Sequence, residues 1–140
     1  MVEMDNPPKN YISMDEARTL LPGLRKRLTR LMRIHRALSL MQTIHLSYDD
    51  NHAEVISQIK QYREFHRLSY QIYKNLDELF SKGCIVKDLD IGLVDFYSRF
   101  GGRDILLCWQ LGEADIQYWH EVDGGYEGRK PISKLIEGRV

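Results

Sequence analysis

The sequence predicts an α+β domain in which a long antiparallel helical hairpin, preceded by a short N-terminal helix, packs on a three-stranded antiparallel sheet. Two periodicities lead to this prediction. In the first part of the chain, apolar residues recur three and four positions apart, as in an amphipathic helix, whereas after Gly83 they alternate, as in a strand. We therefore divide a single domain, 1–140, into a helical part at 13–82, a β part at 83–131 and a tail at 132–140.

Composition argues against several classes of protein. The 20 basic residues balance 20 acidic ones, so the formal net charge is +0. No overall field would draw such a chain to nucleic acid or to a lipid surface. No stretch approaches the roughly 18 apolar residues of a membrane span, and the first residues do not resemble a signal peptide. We expect a cytoplasmic protein without membrane contact, in which Cys84 and Cys108 stay reduced.

The helical part begins at a recognisable start signal. Ser13 and Glu16 have the spacing of a capping box, in which each side chain satisfies a free N–H at the helix start. Pro22 is disfavoured inside a helix but suits a first turn. We therefore expect a short helix over 14–21 and a long helix from Pro22 to about Leu46.

Two apolar stripes at helical spacing predict that two long helices pair as in a coiled coil. The first stripe consists of Leu24, Leu28, Leu31, His35 and Leu38. The second consists of Val55, Ile59, Tyr62, His66, Ser69, Tyr73, Leu76 and Phe80. The polar link at 47–52 is short, so the helices should fold back on each other. His35 would then lie level with His66, where the two rings could hydrogen-bond or share a metal.

The first two strands are joined by the Gly-Gly pair at 101–102, because glycine takes the positive φ angles that a two-residue hairpin needs. This turn pairs Phe96 with Leu107 and Asp95 with Cys108. Asp95 would raise the pKa of the Cys108 thiol, which argues against a catalytic thiolate at that position.

The third strand follows the segment GEAD, 112–115. If these four residues form the loop, His120 lies opposite Leu107 on the core face, and Trp119 lies opposite Cys108 on the outer face. A register shifted by one residue would bring Cys108 and His120 together but would turn the apolar residues of the strand away from the core. We therefore expect the two residues on opposite faces and no metal between them.

The β part contains a set of short motifs that resembles a known family. They are VDF (94–96), GR (102–103), LCW (107–109), LGE (111–113), YWH (118–120) and G-x-x-GR (125–129), with LLPGL (20–24) in the helical part. This pattern is similar to that of an uncharacterised bacterial family, a domain of unknown function (DUF family 2203). The resemblance implies a bacterial origin and a shared surface around the hairpin, and it implies no activity for any residue.

Four residues of the β part are candidates for binding a small anionic ligand: Arg103, Glu113, His120 and Arg129. The arginines, together with backbone N–H groups of the glycine-rich segment 123–129, are the donors that bind phosphate or carboxylate. The same residues could instead form surface salt bridges, a turn and a hydrogen-bonded core histidine. The sequence identifies neither a reaction nor a cofactor.

A basic face on the first long helix is a further candidate surface. Its members are Arg18, Arg25, Lys26, Arg30, Arg33 and Arg36. At 100° per residue they lie opposite the leucine stripe. Such a face can bind nucleic-acid phosphates, but most basic helical faces are only solvated. Nucleic-acid binding is therefore the weakest of the functions considered.

The function favoured by the sequence is a self-associating binding or adaptor module, acting through a homodimer and through the surface around Trp119. The homodimer prediction rests on length, because a helix from Pro22 to Leu46 spans about 37 Å, whereas a strand of eight residues spans about 25 Å. The overhanging end carries much apolar surface: Leu38, Leu40, Met41, Ile44, Val55, Ile56, Ile59 and Tyr62. A second copy would bury this surface in a four-helix bundle. The alternative is an enzyme or ligand-binding protein that uses the four residues above.

Overall fold

The computed structural model describes residues 10–45 and 52–138, with side chains over 10–42 and 58–135. The elements are α1 (Met14–His45), α2 (His52–Ser81), β1 (Cys84–Asp88), β2 (Leu93–Phe100), β3 (Arg103–Gln110), β4 (Tyr118–Glu121), a 3₁₀ turn (Tyr126–Gly128), β5 (Lys130–Pro131) and α3 (Ile132–Gly138). The α+β class with an antiparallel sheet is confirmed, but the sheet has five strands where three were predicted.

The first helix is continuous, so the predicted break at Pro22 is wrong. The start of the helix is as expected, because the Glu16 backbone N–H donates to Ser13 Oγ at 3.1 Å. Pro22 lies inside α1, where a proline costs about 3 kcal/mol. Leu24 and Leu28 continue the buried stripe past the proline, and their burial offsets this cost.

The two long helices pack against each other in opposite directions. Near the start of α1, Arg27 donates to Asn75 Oδ1, near the end of α2, at 2.9 Å. Further along α1, Gln42 and Phe65 of α2 line the same groove. The predicted turn between the helices falls largely on residues 46–51, which lie outside the described residues.

The stripe through which α2 packs differs from the predicted one. The residues that face the core are Phe65, Leu68, Ile72, Asn75, Leu76 and Leu79. Five members of the predicted stripe are exposed instead: Ile59 by 49%, Tyr62 by 47%, Tyr73 by 71% and Phe80 by 37%, together with His66. Because the apolar part of α2 is wider than the side that packs, periodicity alone did not indicate which portion faces the core.

The imidazole of His35 meets the turn between β1 and β2. Its Nε2 lies 3.0 Å from Asp90 Oδ1. His66 is exposed and stacks edge to face on Phe65, with 5.9 Å between the ring centroids. Because α2 packs through a different face than predicted, His66 lies on the exposed side of the helix. The predicted contact between His35 and His66 is therefore replaced by the contact of His35 with Asp90.

The five strands form one antiparallel sheet in the order β1-β2-β3-β4-β5. The hairpin at 101–102 has the predicted register, with Phe96 opposite Leu107 and Asp95 opposite Cys108. β1 and β5 were not predicted. β5 has two residues and β1 has five, interrupted by a bulge, so neither displays a clear alternation.

The predicted register of β4 is wrong by one residue, in a direction not considered. Trp119, and not His120, lies opposite Leu107. Trp119 is therefore buried in the core, while His120 joins Cys108 on the outer face of the sheet. The predicted register assumed a loop of four residues, whereas the observed connection covers 111–117.

Hydrogen bonds hold this longer connection in place. Trp109 Nε1 donates to the Glu113 carbonyl at 2.9 Å, and the Gln110 backbone N–H donates to the Glu113 carboxylate at 2.6 Å. From α1, Arg25 donates to the Ala114 carbonyl at 2.6 Å. These bonds keep the chain beside α1 before it re-enters the sheet, and they thereby set the register of β4.

The core lies between α1, α2, α3 and one face of the sheet. Trp109, Phe96 and Leu28 are among its largest fully buried side chains. Residues 132–138, predicted as tail, form α3, which adds Ile132 and Leu135 to the core. Of the described helices, none combines the length and the apolar character needed to span a membrane.

Candidate functional site

The face of the sheet opposite α1 carries a buried polar cluster of Asp95, Cys108 and His120, which we call the outer-face cluster. Their exposed fractions are 2%, 0% and 3%. Asp95 on β2 and Cys108 on β3 are direct cross-strand partners, and His120 reaches toward them from β4. One ligand atom from each residue lies within 4.8 Å of the others. Three different donor groups thus converge in a site from which water is largely excluded.

The imidazole of His120 is oriented by hydrogen bonds at both nitrogens. Nδ1 lies 2.7 Å from the Glu121 carbonyl oxygen, and Nε2 lies 3.0 Å from Asp95 Oδ2. A carbonyl oxygen can only accept, so Nδ1 carries a hydrogen and Nε2 is directed at the carboxylate. The other carboxylate oxygen, Asp95 Oδ1, is buried and has no hydrogen-bond partner among the described residues.

The Cys108 thiol is unreactive in this environment. Burial raises its pKa to about 12, the Asp95 carboxylate acts in the same direction, and the Arg129 guanidinium opposes them. The thiol is therefore protonated at neutral pH, and a Cys–His nucleophile pair does not form. The predicted effect of Asp95 on the thiol is confirmed.

An ion pair of Arg129 and Glu113 lies beside the cluster. Arg129 donates to Glu113 Oε1 at 2.7 Å, and the two side chains are 13% and 20% exposed. The guanidinium also stacks on the rings of Tyr118 and Tyr126, at 4.1 and 5.1 Å from their centroids. Burial, the largest single influence, lowers the pKa of Arg129, but the hydrogen bond to Glu113 and the neighbouring acidic groups together outweigh it and the net shift is upward. This ion pair, which we call the charged cover, lies next to Cys108.

The four predicted ligand residues do not gather around a single point. Glu113 and Arg129 pair with each other, and His120 belongs to the outer-face cluster. Arg103 forms an ion pair with Glu121 where β3 begins and β4 ends. Both arginines therefore already have a carboxylate partner. Trp119, expected on the outer surface, is 3% exposed.

Sequence reasoning missed Asp95 and Cys108 as parts of a site. The register of the β2–β3 hairpin already placed them side by side, so two of the three members of the cluster could be predicted to be neighbours. The missing part was His120, which the predicted register of β4 had placed on the core face. The length of the loop before β4 would have been the signal, but no glycine or proline marks its true end.

The exposed side of α2 is a second candidate surface. Its large side chains are Ile59, Tyr62, Tyr70, Tyr73 and Phe80. At 100° per residue they lie within about 80° of one another, along one flank of the side that packs on the core. We call this surface the outward stripe. Beside it, a groove of about 300 Å³ between the helices is lined by Leu38, Phe65 and Ile72, among others.

The basic face of α1 is partly occupied by contacts within the chain. Arg18 Nε lies 3.0 Å from Asp115 Oδ1, and the Arg25 guanidinium lies 5.9 Å from the centroid of the Trp109 ring. The remaining members are exposed: Lys26, Arg30, Arg33 and Arg36. Part of this face therefore holds the loop before β4 against the helix.

A family model described as "Uncharacterized conserved protein (DUF2203)" matches residues 10–132 of the chain. The match covers α1, α2, all five strands and the outer-face cluster. No curated protein and no solved structure matches the chain.

Proposed function

Because the chain belongs to the DUF2203 family, whose description assigns no activity, we propose a function from its own geometry: a self-associating binding module that forms a homodimer through the outward stripe of α2. One observation supports this most directly. The apolar part of the helix is wider than the side covered by α1 and the β part, and the outward stripe is the portion left uncovered by the described residues.

The outward stripe is unusual for a surface helix. From Ile59 to Phe80 it extends about 32 Å along the helix at 1.5 Å per residue. A surface helix of a monomer has a single apolar face, and contiguous exposed apolar patches mark interaction sites. Tyr70 and Tyr73, exposed by 66% and 71%, are of the residue type enriched at interfaces.

A second copy of the chain is the occupant that fits. In a two-fold dimer the stripe would contact itself, and two α1–α2 pairs would form a four-helix bundle. With a formal net charge of +0, no overall repulsion opposes association. Leu40, toward the end of α1, adds to the exposed apolar surface of the helical pair, since it is 64% exposed. Three further residues of the predicted dimer surface lie outside the described side chains: Ile44, Val55 and Ile56.

The magnitude of this burial is sufficient for a reversible dimer. Complete burial of a large apolar side chain contributes about 1.5–3 kcal/mol, so covering five half-exposed ones on each of two copies contributes on the order of 10 kcal/mol. Association costs about 4–15 kcal/mol in lost freedom of motion. The two magnitudes are similar, so we expect dimerisation that depends on concentration.

Sedimentation velocity over a range of micromolar concentrations tests the proposal. Ile59→Glu and Tyr73→Glu place a charge in the stripe and should each shift the protein to the 16.5 kDa monomer. Ile91→Glu is a matched control, because Ile91 is 41% exposed, close to the 49% of Ile59, but lies in the β1–β2 turn. A wild-type monomer at all concentrations, or equal effects of Ile59→Glu and Ile91→Glu, would contradict the proposal.

The finer features of the proposal have separate support. The free, buried cysteines Cys84 and Cys108 suit a cytoplasmic protein, and the motifs resembling the bacterial family support a bacterial origin. The opposite directions of α1 and α2 support the predicted helical hairpin, whose link at 47–52 lies largely outside the described residues.

Two alternative partners receive less support. A small anionic ligand at Arg103 or Arg129 would have to compete with the carboxylates of Glu121 and Glu113. Nucleic acid would have only part of the predicted basic face, because Arg25 binds the loop before β4. If the protein binds either partner, and the affinity falls steeply as the salt concentration rises, that partner is favoured over the adaptor function.

A further inference from the structure

We propose that the outer-face cluster binds a divalent transition metal of the zinc class, with Asp95, Cys108 and His120 as the three protein ligands. This inference is independent of the proposed dimer, since the cluster lies on the sheet and the outward stripe lies on α2. It also reverses the expectation from the sequence, which depended on the wrong register of β4.

The distances suit a single ion. Two donor atoms on one tetrahedral zinc are about 3.3–3.5 Å apart, given bonds of about 2.0–2.3 Å. The His120 nitrogen and the Asp95 oxygen are 3.0 Å apart, and all three ligand atoms lie within 4.8 Å of one another. The separations therefore bracket those of a single ion: the pair at 3.0 Å is slightly closer than in a tetrahedral site, and no pair exceeds 4.8 Å.

The surroundings of His120 match those of a metal ligand. Histidines that bind metals donate their second ring N–H to a carbonyl or carboxylate, which fixes the tautomer and the ring orientation. Here Nδ1 of His120 donates to the Glu121 carbonyl at 2.7 Å. Nε2 is thereby left as the ligating nitrogen, directed at the centre of the cluster.

An unsatisfied buried oxygen is the second, independent indication of a ligand. Asp95 is 2% exposed, and its Oδ1 accepts no hydrogen bond from the described residues. Such an orphaned acceptor costs about 1–3 kcal/mol or more for a charged group. A bound cation would offset this cost, because the carboxylate would then bind the ion.

The chemistry of the donors selects the class of metal. A thiol sulfur and an imidazole nitrogen suit zinc and its neighbours, whereas calcium and magnesium require oxygen ligands. On coordination the S–H bond of Cys108 breaks and the sulfur keeps the electron pair as a thiolate. The proton held between His120 Nε2 and Asp95 is also lost, so that Nε2 has a free electron pair for the ion, and both protons leave to solvent. Thiolate and carboxylate together carry the −2 charge that balances a divalent ion. Three protein ligands leave a fourth position for water.

Zinc titration of chelator-treated protein, followed by elemental analysis after dialysis, is the primary test. We expect one zinc ion per chain in the wild type, and at least a tenfold weaker affinity in Asp95→Asn and His120→Gln. Excess calcium or magnesium should not displace the ion. A folded wild-type chain without stoichiometric zinc, or variants that bind like the wild type, would overturn the proposal.

Cobalt substitution identifies the sulfur ligand, because a thiolate bound to Co²⁺ gives a charge-transfer absorption in the near ultraviolet. Cys84→Ser is a matched control, since it removes the other buried cysteine and leaves Cys108 as the only thiol. We expect the absorption in Cys84→Ser and its loss in Cys108→Ser. If circular dichroism shows that Cys108→Ser does not fold, the spectrum of Cys84→Ser alone decides the question. The charge-transfer absorption in Cys84→Ser would identify Cys108 as the sulfur ligand, and its absence would overturn the proposal.

Discussion

The buried contact between Asp95 and His120 gives a quantitative prediction that does not depend on metal. Each side chain is 3% exposed, and their closest atoms are 3.0 Å apart. Replacing His120 by leucine leaves a carboxylate buried without its partner, which costs about 3–5 kcal/mol of the free energy of unfolding. Since domains of this size are stable by about 5–15 kcal/mol, His120→Leu should be close to unfolded.

A double-mutant cycle isolates the contribution of this contact. Asp95→Val removes the carboxylate, and the double variant with His120→Leu leaves neither group unpaired. The double variant should therefore lose about 1–3 kcal/mol less than the sum of the single variants. Urea unfolding followed by circular dichroism, with a chelator present, measures all four free energies.

The exposed ion pair of Arg103 and Glu121 is the control for this cycle. Its side chains are 47% and 32% exposed, and exposed pairs contribute about 0–1 kcal/mol. We expect its coupling energy to be smaller than that of Asp95 and His120. If the losses of Asp95→Val and His120→Leu add to within about 0.5 kcal/mol, the two groups are not energetically paired and the reasoning is wrong.

Three further predictions concern the core, a turn and the thiols. Trp109→Ala should cost about 3–5 kcal/mol by leaving a cavity, measured by urea unfolding, and a loss below 1 kcal/mol would contradict its core position. Gly92→Ala should cost about 1–3 kcal/mol in the same assay, because φ is +70° and the new Cβ would lie 2.8 Å from the Leu111 Cβ. Burial raises the pKa of Cys84 to about 11 and that of Cys108 to about 12, so few thiolates form at pH 8. Ellman's reagent should therefore label native protein far more slowly than protein in urea, and equal rates would refute this.

Local signals predicted the elements whose structure depends on neighbours along the chain. The capping pair of Ser13 and Glu16 gave the start of α1, and the leucines from Leu24 to Leu38 gave its buried side. The glycine pair at 101–102 gave the register of the β2–β3 hairpin. In each case, the residues that determine the structure lie within a few positions of one another.

Features set by distant contacts were not predictable in the same way. Which portion of the apolar part of α2 packs depends on the contacts with α1 and β1. Pro22 suggested a helix boundary, but burial of the flanking leucines against the sheet outweighs its cost. α3 was read as tail because seven residues are too few to show a period, although Ile132 and Leu135 complete the core.

The error in the register of β4 and the existence of the outer-face cluster have one physical origin. In a strand, a shift of one residue exchanges the two faces, so the position of His120 depends on the length of the preceding loop. That length follows from Trp109 and Arg25, which bind the loop backbone from the core and from α1. The same loop contributes Glu113, whose carboxylate holds Arg129 beside the cluster. The contacts that lengthen the loop therefore also bring together the histidine, the thiol, the buried carboxylate and their charged cover.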